Sequence, residues 1–173
     1  MTATKKSKPT KAPTAPSAPA RAKITTSGDR EVRIERIFNA PRQRVWDAMT
    51  KPELVAQWWG RGNKLVIERY EFERGGHWRF VEHSDHGTHG FEGRFREVVP
   101  MERLSMTFDW DGMPGHPAVT TAAFEDLGDG RTKLVSTMQF YTPGERDGML
   151  NSGMEGGMNE SYVALDALLA GMK

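Results

Sequence analysis

The chain has 173 residues, 37% of them hydrophobic and 27% charged, with a formal net charge of +1. That length suits one ordinary domain, and no stretch reaches the ~18 uninterrupted apolar residues of a membrane-spanning helix. With no cysteine, a disulfide scaffold, a thiolate metal site, a cysteine nucleophile and thiol redox chemistry are excluded.

The charge is unevenly spread. Residues 1–28 hold six basic side chains (Lys5, Lys6, Lys8, Lys11, Arg21 and Lys23) and no acidic one, which leaves a net of −5 for residues 29–173. A mildly acidic globular part argues against nucleic acid as a partner. Pro9, Pro13, Pro16 and Pro19 interrupt a run of Ala, Thr, Ser and Lys. Such a segment cannot bury enough apolar surface to offset its ordering entropy, so residues 1–28 are expected to be a disordered basic tail and residues 29–173 a single domain. The tail lacks the apolar stretch of a secretory signal, and with no membrane span a cytoplasmic location is the expectation.

From residue 30 the pattern is globular. Val32, Ile34 and Phe38 alternate with Arg33 and Glu35, the period-2 signature of a half-buried strand. Asn39-Ala-Pro41 closes it, and proline suits a first helical turn because it has no amide hydrogen to leave unpaired. Val45, Trp46 and Met49 predict a short helix. Pro52 ends it and opens a second, with Leu54, Val55, Trp58 and Trp59, stopped by Gly60 and Gly62. Six strands are expected next: Leu65 to Phe72, His77 to Val81, one around Phe91, Gly93 and Phe95, Leu104 to Trp110, Val119 to Phe124, and Leu134 to Phe140. Gly75-Gly76, Ser84-Asp85-His86-Gly87 and Gly128-Asp129-Gly130 supply turns between them. Met154, Met158, Tyr162, Leu165, Leu168 or Leu169, and Met172 step by three or four and share one stripe. The regular helix is expected from about Asn159 to Ala170, because Gly153, Gly156 and Gly157 weaken its start by about 1 kcal/mol each. Strands joined by short turns give an antiparallel sheet, and a one-sided helix must cover it.

This order, with these residues, resembles the helix-grip fold of the START and birch-pollen-allergen superfamily. It is most similar to the family of the activator of heat-shock-protein-90 ATPase, in its C-terminal-like domain. The resemblance covers about residues 31–171. It rests on Phe38-Asn-Ala-Pro41 with Val45-Trp46-Asp47-Ala48 and Pro52-Glu53-Leu54, on Trp58-Trp59-Gly60, on Arg74-Gly75-Gly76-His77-Trp78-Arg79-Phe80, on Gly93 to Glu97 with Pro100 and Glu102-Arg103-Leu104, and on the terminal stretch Ser152 to Ser161. It implies an α+β domain in which a curved antiparallel sheet of about seven strands grips a long C-terminal helix. The family usually carries Gly-Trp where this chain has Gly157-Met158, which implies a widened pocket.

The same resemblance implies a cavity between sheet and last helix that holds apolar ligands. The expected function is therefore binding of a small apolar or lipid-like molecule. The residues expected to line the site are Trp46, Trp59, Trp78, Phe80, Phe91, Phe95, Phe108, Met138, Met154, Met158 and Tyr162. Each large ring could equally be plain core. The methionines, flexible and polarisable, could fill gaps, form a re-shapeable pocket wall or make a homodimer surface. The alternatives from the resemblance are a co-chaperone with a chaperone partner in a stress response, and an enzyme of the polyketide-cyclase type.

Catalytic signals are thin. There is no Gly-x-Ser-x-Gly elbow, P-loop or Gly-x-Gly-x-x-Gly, and no spacing joins a nucleophile to a base. No catalytic residue and no cofactor is expected. Asp109, Asp111 and His116 could flank a pocket mouth. His83 and His89 fall around a turn centred near His86, where cross-strand pairing would bring two imidazoles onto one face. No third ligand is fixed by spacing, so no metal is expected.

Overall fold

The computed structural model describes residues 21–173. Strand β1 (Lys23–Ser27) pairs with β2 (Glu31–Phe38). Two helices follow, α1 (Arg42–Thr50) and α2 (Pro52–Trp58). A meander of six strands comes next: β3 (Lys64–Tyr70), β4 (His77–Ser84), β5 (Gly87–Val99), β6 (Arg103–Trp110), β7 (Ala118–Asp126) and β8 (Thr132–Gln139). Helices α3 (Pro143–Asn151) and α4 (Met154–Gly171) end the chain. The strands form one antiparallel sheet in the order β1-β2-β8-β7-β6-β5-β4-β3. This is the expected helix-grip arrangement, with eight strands rather than about seven.

The extra strand corrects the expected boundary at residue 28. Ile24 stands opposite Ile34 and packs on the core, and Ala22 N–H donates to Asn159 Oδ1 at 3.1 Å. The β-branched run Ile24-Thr25-Thr26 suits an edge strand. The rest of the expected tail, residues 1–20, lies outside the described residues.

Three side-chain hydrogen bonds lock the helical hairpin. Trp58 Nε1 donates to Ala48 O at 2.8 Å, Tyr70 Oη to Thr50 O at 2.6 Å, and Thr50 Oγ1 to Trp46 O at 2.7 Å. Phe38, Val45, Trp46, Trp58, Phe124, Leu134, Tyr162, Leu165 and Leu169 are buried together, where α1, α2 and the later half of α4 meet the sheet. Full burial of each such side chain contributes about 1.5–3 kcal/mol.

Two further expectations need correction. The expected order had no helix between the last strand and the terminal one, where α3 stands, and α4 starts at Met154 rather than near Asn159. In the β4–β5 hairpin His83 pairs with Thr88 and His89 with Glu82. Neighbouring residues of a strand face opposite ways, so His83 and His89 lie on opposite faces and cannot share one ion. Among the described residues no group of three or more His, Asp or Glu side chains could hold a metal.

Candidate functional site

Strand alternation sends Trp78, Phe80 and Glu82 of β4 to the concave face with Phe91, Gly93 and Phe95 of β5, Met106 and Phe108 of β6, Thr120 of β7 and Met138 of β8. Trp59, at the end of α2, completes a closed circuit of rings. Its centroid is 4.9 Å from Phe91 and 5.6 Å from Phe80. Phe91 is 5.4 Å from Phe108, Phe108 is 6.0 Å from Trp78, and Trp78 is 4.9 Å from Phe80. Edge-to-face and tilted contacts at these separations are favourable ring geometries.

The eleven expected site residues divide into two groups. Trp46, Trp78, Phe80, Phe95, Met138 and Tyr162 are buried members of the core. Trp46 packs away from the circuit, against Phe72 and Phe124. Trp59, Phe91, Phe108, Met154 and Met158 are only half-buried, and Met106, Met149 and Leu150 join them at the margin of the same core. The half-buried group thus comes from the sheet, the end of α2, the first turns of α4 and α3, a helix that buries none of its residues.

Of the buried side-chain polar atoms without a hydrogen-bond partner among the described residues, Trp78 Nε1 and Thr120 Oγ1 lie on the concave side. A buried donor without a partner costs about 1–3 kcal/mol, and such exceptions in a folded protein need a reason. An indole N–H can only donate, whereas a threonine hydroxyl can donate or accept.

Sequence reasoning missed Glu82. It is 3% exposed and follows Trp78 and Phe80 on the inward face. That inward charge was itself the available signal. Asn63 Nδ2 donates to Glu82 Oε1 at 2.6 Å and Arg61 Nη2 at 3.1 Å. Arg61 has a left-handed backbone, φ 60°, and its N–H donates to Ser161 Oγ of α4 at 3.2 Å. A β-carbon on Gly157 would stand 2.8 Å from Arg61 Cδ, so the glycine lets this side chain cross α4. The α2–β3 loop is thereby fastened both to β4 and to α4.

A second buried ion pair lies under the later half of α4. Arg36 of β2 pairs with Asp166, and its guanidinium sits 4.7 Å from the Phe38 ring centroid and 5.1 Å from that of Tyr162. Burial pushes the Tyr162 phenol up to about 12 and raises that of Tyr70 as well.

The loop residues expected near a pocket mouth have separate partners. Asp111 holds Arg79, His116 Nδ1 lies 2.6 Å from Glu145 Oε1, and Asp109 Oδ2 accepts from Gly115 N–H at 3.1 Å. His116, Pro117, Tyr141 and Glu145 border an open groove of about 510 Å³.

Comparison with known proteins gives a consistent picture. The family model described as activator of Hsp90 ATPase homolog 1-like protein matches residues 39–170. A crystal structure of a Rhodobacter sphaeroides protein is 28% identical, with a TM-score of 0.80, and the match covers 88% of this chain and 100% of that one. A Chromobacterium violaceum protein is 26% identical at a TM-score of 0.69, over 81% of this chain and 96% of its own. A solution structure from Arthrobacter aurescens, at 22% identity and a TM-score of 0.77, covers 86% of this chain and 91% of its own, and shares the fold. No curated protein matches the chain, and no helix among the described residues is long and apolar enough to cross a membrane.

Proposed function

The chain belongs to the family of activator of Hsp90 ATPase homolog 1-like proteins, and from that membership we propose that its concave face binds a small apolar or amphipathic molecule. The observation that carries this reading is the half-buried ring group of Trp59, Phe91 and Phe108, in contact with one another, on a core against which Met154 and Met158 are also only half-buried. Rings supply area and a fixed wall, and methionine side chains can re-shape around an irregular guest. A mostly apolar face with few polar groups is the usual pattern of a small-molecule site.

The test replaces Met158 with Trp and measures uptake of anilinonaphthalene sulfonate alongside urea unfolding. If Met158 stands at a site that accepts a guest, Met158→Trp leaves stability within about 1 kcal/mol and weakens probe binding at least about tenfold, because the ring takes the guest's volume. If it is packed core, overpacking costs about 1–3 kcal/mol and probe binding does not change; that pair of results refutes the assignment. The family's description supports a second reading, stimulation of a heat-shock-protein-90 type ATPase. It predicts an accelerated ATPase on mixing with such a chaperone, whatever Met158→Trp does to the probe.

A further inference from the structure

The convex face of the sheet carries a feature that the ligand reading does not use. An open groove of about 650 Å³ is bordered by Arg74, Arg94 and Arg96, and Ser105, Thr121 and Gln139 line it further. Three devices build it. The turn before β4 presents Arg74 beside Gly75, which has a left-handed φ of +84°. Arg94 Nη1 donates to Gly75 O at 3.0 Å, which pins that guanidinium at the rim. A β-bulge in β5 breaks the register between Phe95 and Glu97, so Arg96 is the unpaired residue that a bulge re-aims. All three arginines are exposed.

Charge is the second consideration. Glu97, the carboxylate in the groove, is already engaged by Arg103, which donates to both its oxygens at 2.7 Å. Those bonds, with the nearby charge of Arg74, hold the Glu97 carboxyl below the usual carboxylate range. The groove thus carries three arginines beyond the Arg103–Glu97 pair, in a domain whose net charge over residues 29–173 is −5. Like charges gathered on one face repel one another. Across β6 and β7 the floor adds the hydroxyls of Ser105 and Thr121, 3.0 Å apart, and the amide of Gln139.

We propose that this groove is a site for a phosphorylated small molecule. Guanidinium forks match phosphate oxygens in pairs, and three of them suit a dianion or polyanion better than a single carboxylate. The hydroxyl and amide floor suits the polar body that carries the phosphate. The site lies on the opposite face of the sheet from the apolar one and does not depend on it.

The test is an amide NMR titration of the full chain with inorganic pyrophosphate, with inorganic phosphate and acetate as comparisons. Shifts are expected at Arg74–Gly75, Arg94–Glu97, Ser105 and Thr121, with pyrophosphate binding at least about tenfold tighter than acetate. The double variant Arg74→Gln with Arg96→Gln should weaken pyrophosphate at least about tenfold and leave the thermal midpoint and the anilinonaphthalene sulfonate affinity unchanged. Shifts scattered over every exposed arginine, equal binding of acetate, or undiminished binding by the double variant would overturn the proposal. An acidic peptide that binds the groove more tightly than pyrophosphate would overturn it in favour of a protein partner.

Discussion

Gly90 and Gly93 lie in the same strand, and each is required by a close approach. A β-carbon at Gly93 would stand 1.9 Å from Thr107 O and 2.9 Å from Trp78 Nε1, so only a bare backbone lets the indole settle there. At Gly90 it would stand 2.0 Å from Asp111 Oδ2 and 2.8 Å from Arg79 Nη2, so the glycine opens the path by which that ion pair crosses β5. Arg79 donates to both oxygens of Asp111, at 3.1 and 2.7 Å, and through Nε to Glu68 at 3.0 Å. Its hydrogen bonds hold the Asp111 carboxyl below the ordinary 3.8. The folded state therefore binds that proton more weakly than the unfolded chain, and the carboxylate adds stability at neutral pH that is lost as pH falls from about 4 toward the folded value. Asp111→Asn should lower the thermal midpoint slightly at pH 7, since the pair is partly solvated. The gap to the natural protein should narrow as pH falls below about 4 and close once the folded-state carboxyl is protonated. A gap that does not vary with pH would show that the charge contributes nothing. Neither glycine's role was legible in the sequence, where a strand glycine reads only as a weak point, because the partner groups come from β4, β6 and the β6–β7 loop.

Along α4 the packing changes from one end to the other. Tyr162, Leu165 and Leu169 are its buried residues, while Met154 and Met158 are half-buried and Gly153, at φ 82°, separates the helix from α3. The first turns hold few buried contacts, and local opening is drawn from such segments. A β-carbon on Gly156 would meet nothing within 4 Å, so Gly156→Ala should stabilise the protein by about 0.5–1 kcal/mol and slow amide exchange over residues 154–160. If exchange there already matches that of residues 162–169, the helix has no loose end. The stripe Met154, Met158, Tyr162, Leu165 was readable as helix from its spacing, and the earlier start at Met154 was not, because the glycines argue against it until the α2–β3 loop is seen to fasten it. Helix α3 was missed for a plainer reason. Pro143-Gly-Glu-Arg-Asp-Gly carries no apolar stripe. The one signal was Thr142 followed three residues later by Glu145, the reciprocal cap that the structure contains. Strand β1 was hidden by the composition of the segment around it, since Ile24 is its one large apolar residue.

Taken whole, the molecule is a sheet with two unlike faces. The concave face was readable in the alternation of Trp78, Phe80, Phe95 and Phe108 with polar neighbours. The convex face was not, because groups such as Arg79–Asp111 and Arg74–Arg94–Arg96 are assembled from different strands and loops and follow no local period. Strand β1 is part of the sheet's edge, so removing residues 1–28 should lower the thermal midpoint by several degrees, at about 2–4 °C per kcal/mol for a domain of this size. A midpoint within about 2 °C of the full chain would mean that the β1–β2 ladder and the Ile24 contact contribute little. The pairing of β2 with β8 joins residues roughly a hundred positions apart, and it has a consequence for synthesis. As the chain leaves the ribosome, β2 emerges early and cannot find its partner until β8 is made, and the concave face stays uncovered until α4 follows. Long-range pairings of this kind close slowly and leave apolar surface exposed in the meantime. Until its last helix is released, the nascent protein therefore presents Trp78, Phe80 and Phe108 to the cell's holding chaperones, and a ribosome stalled after Gln139 would leave them exposed indefinitely.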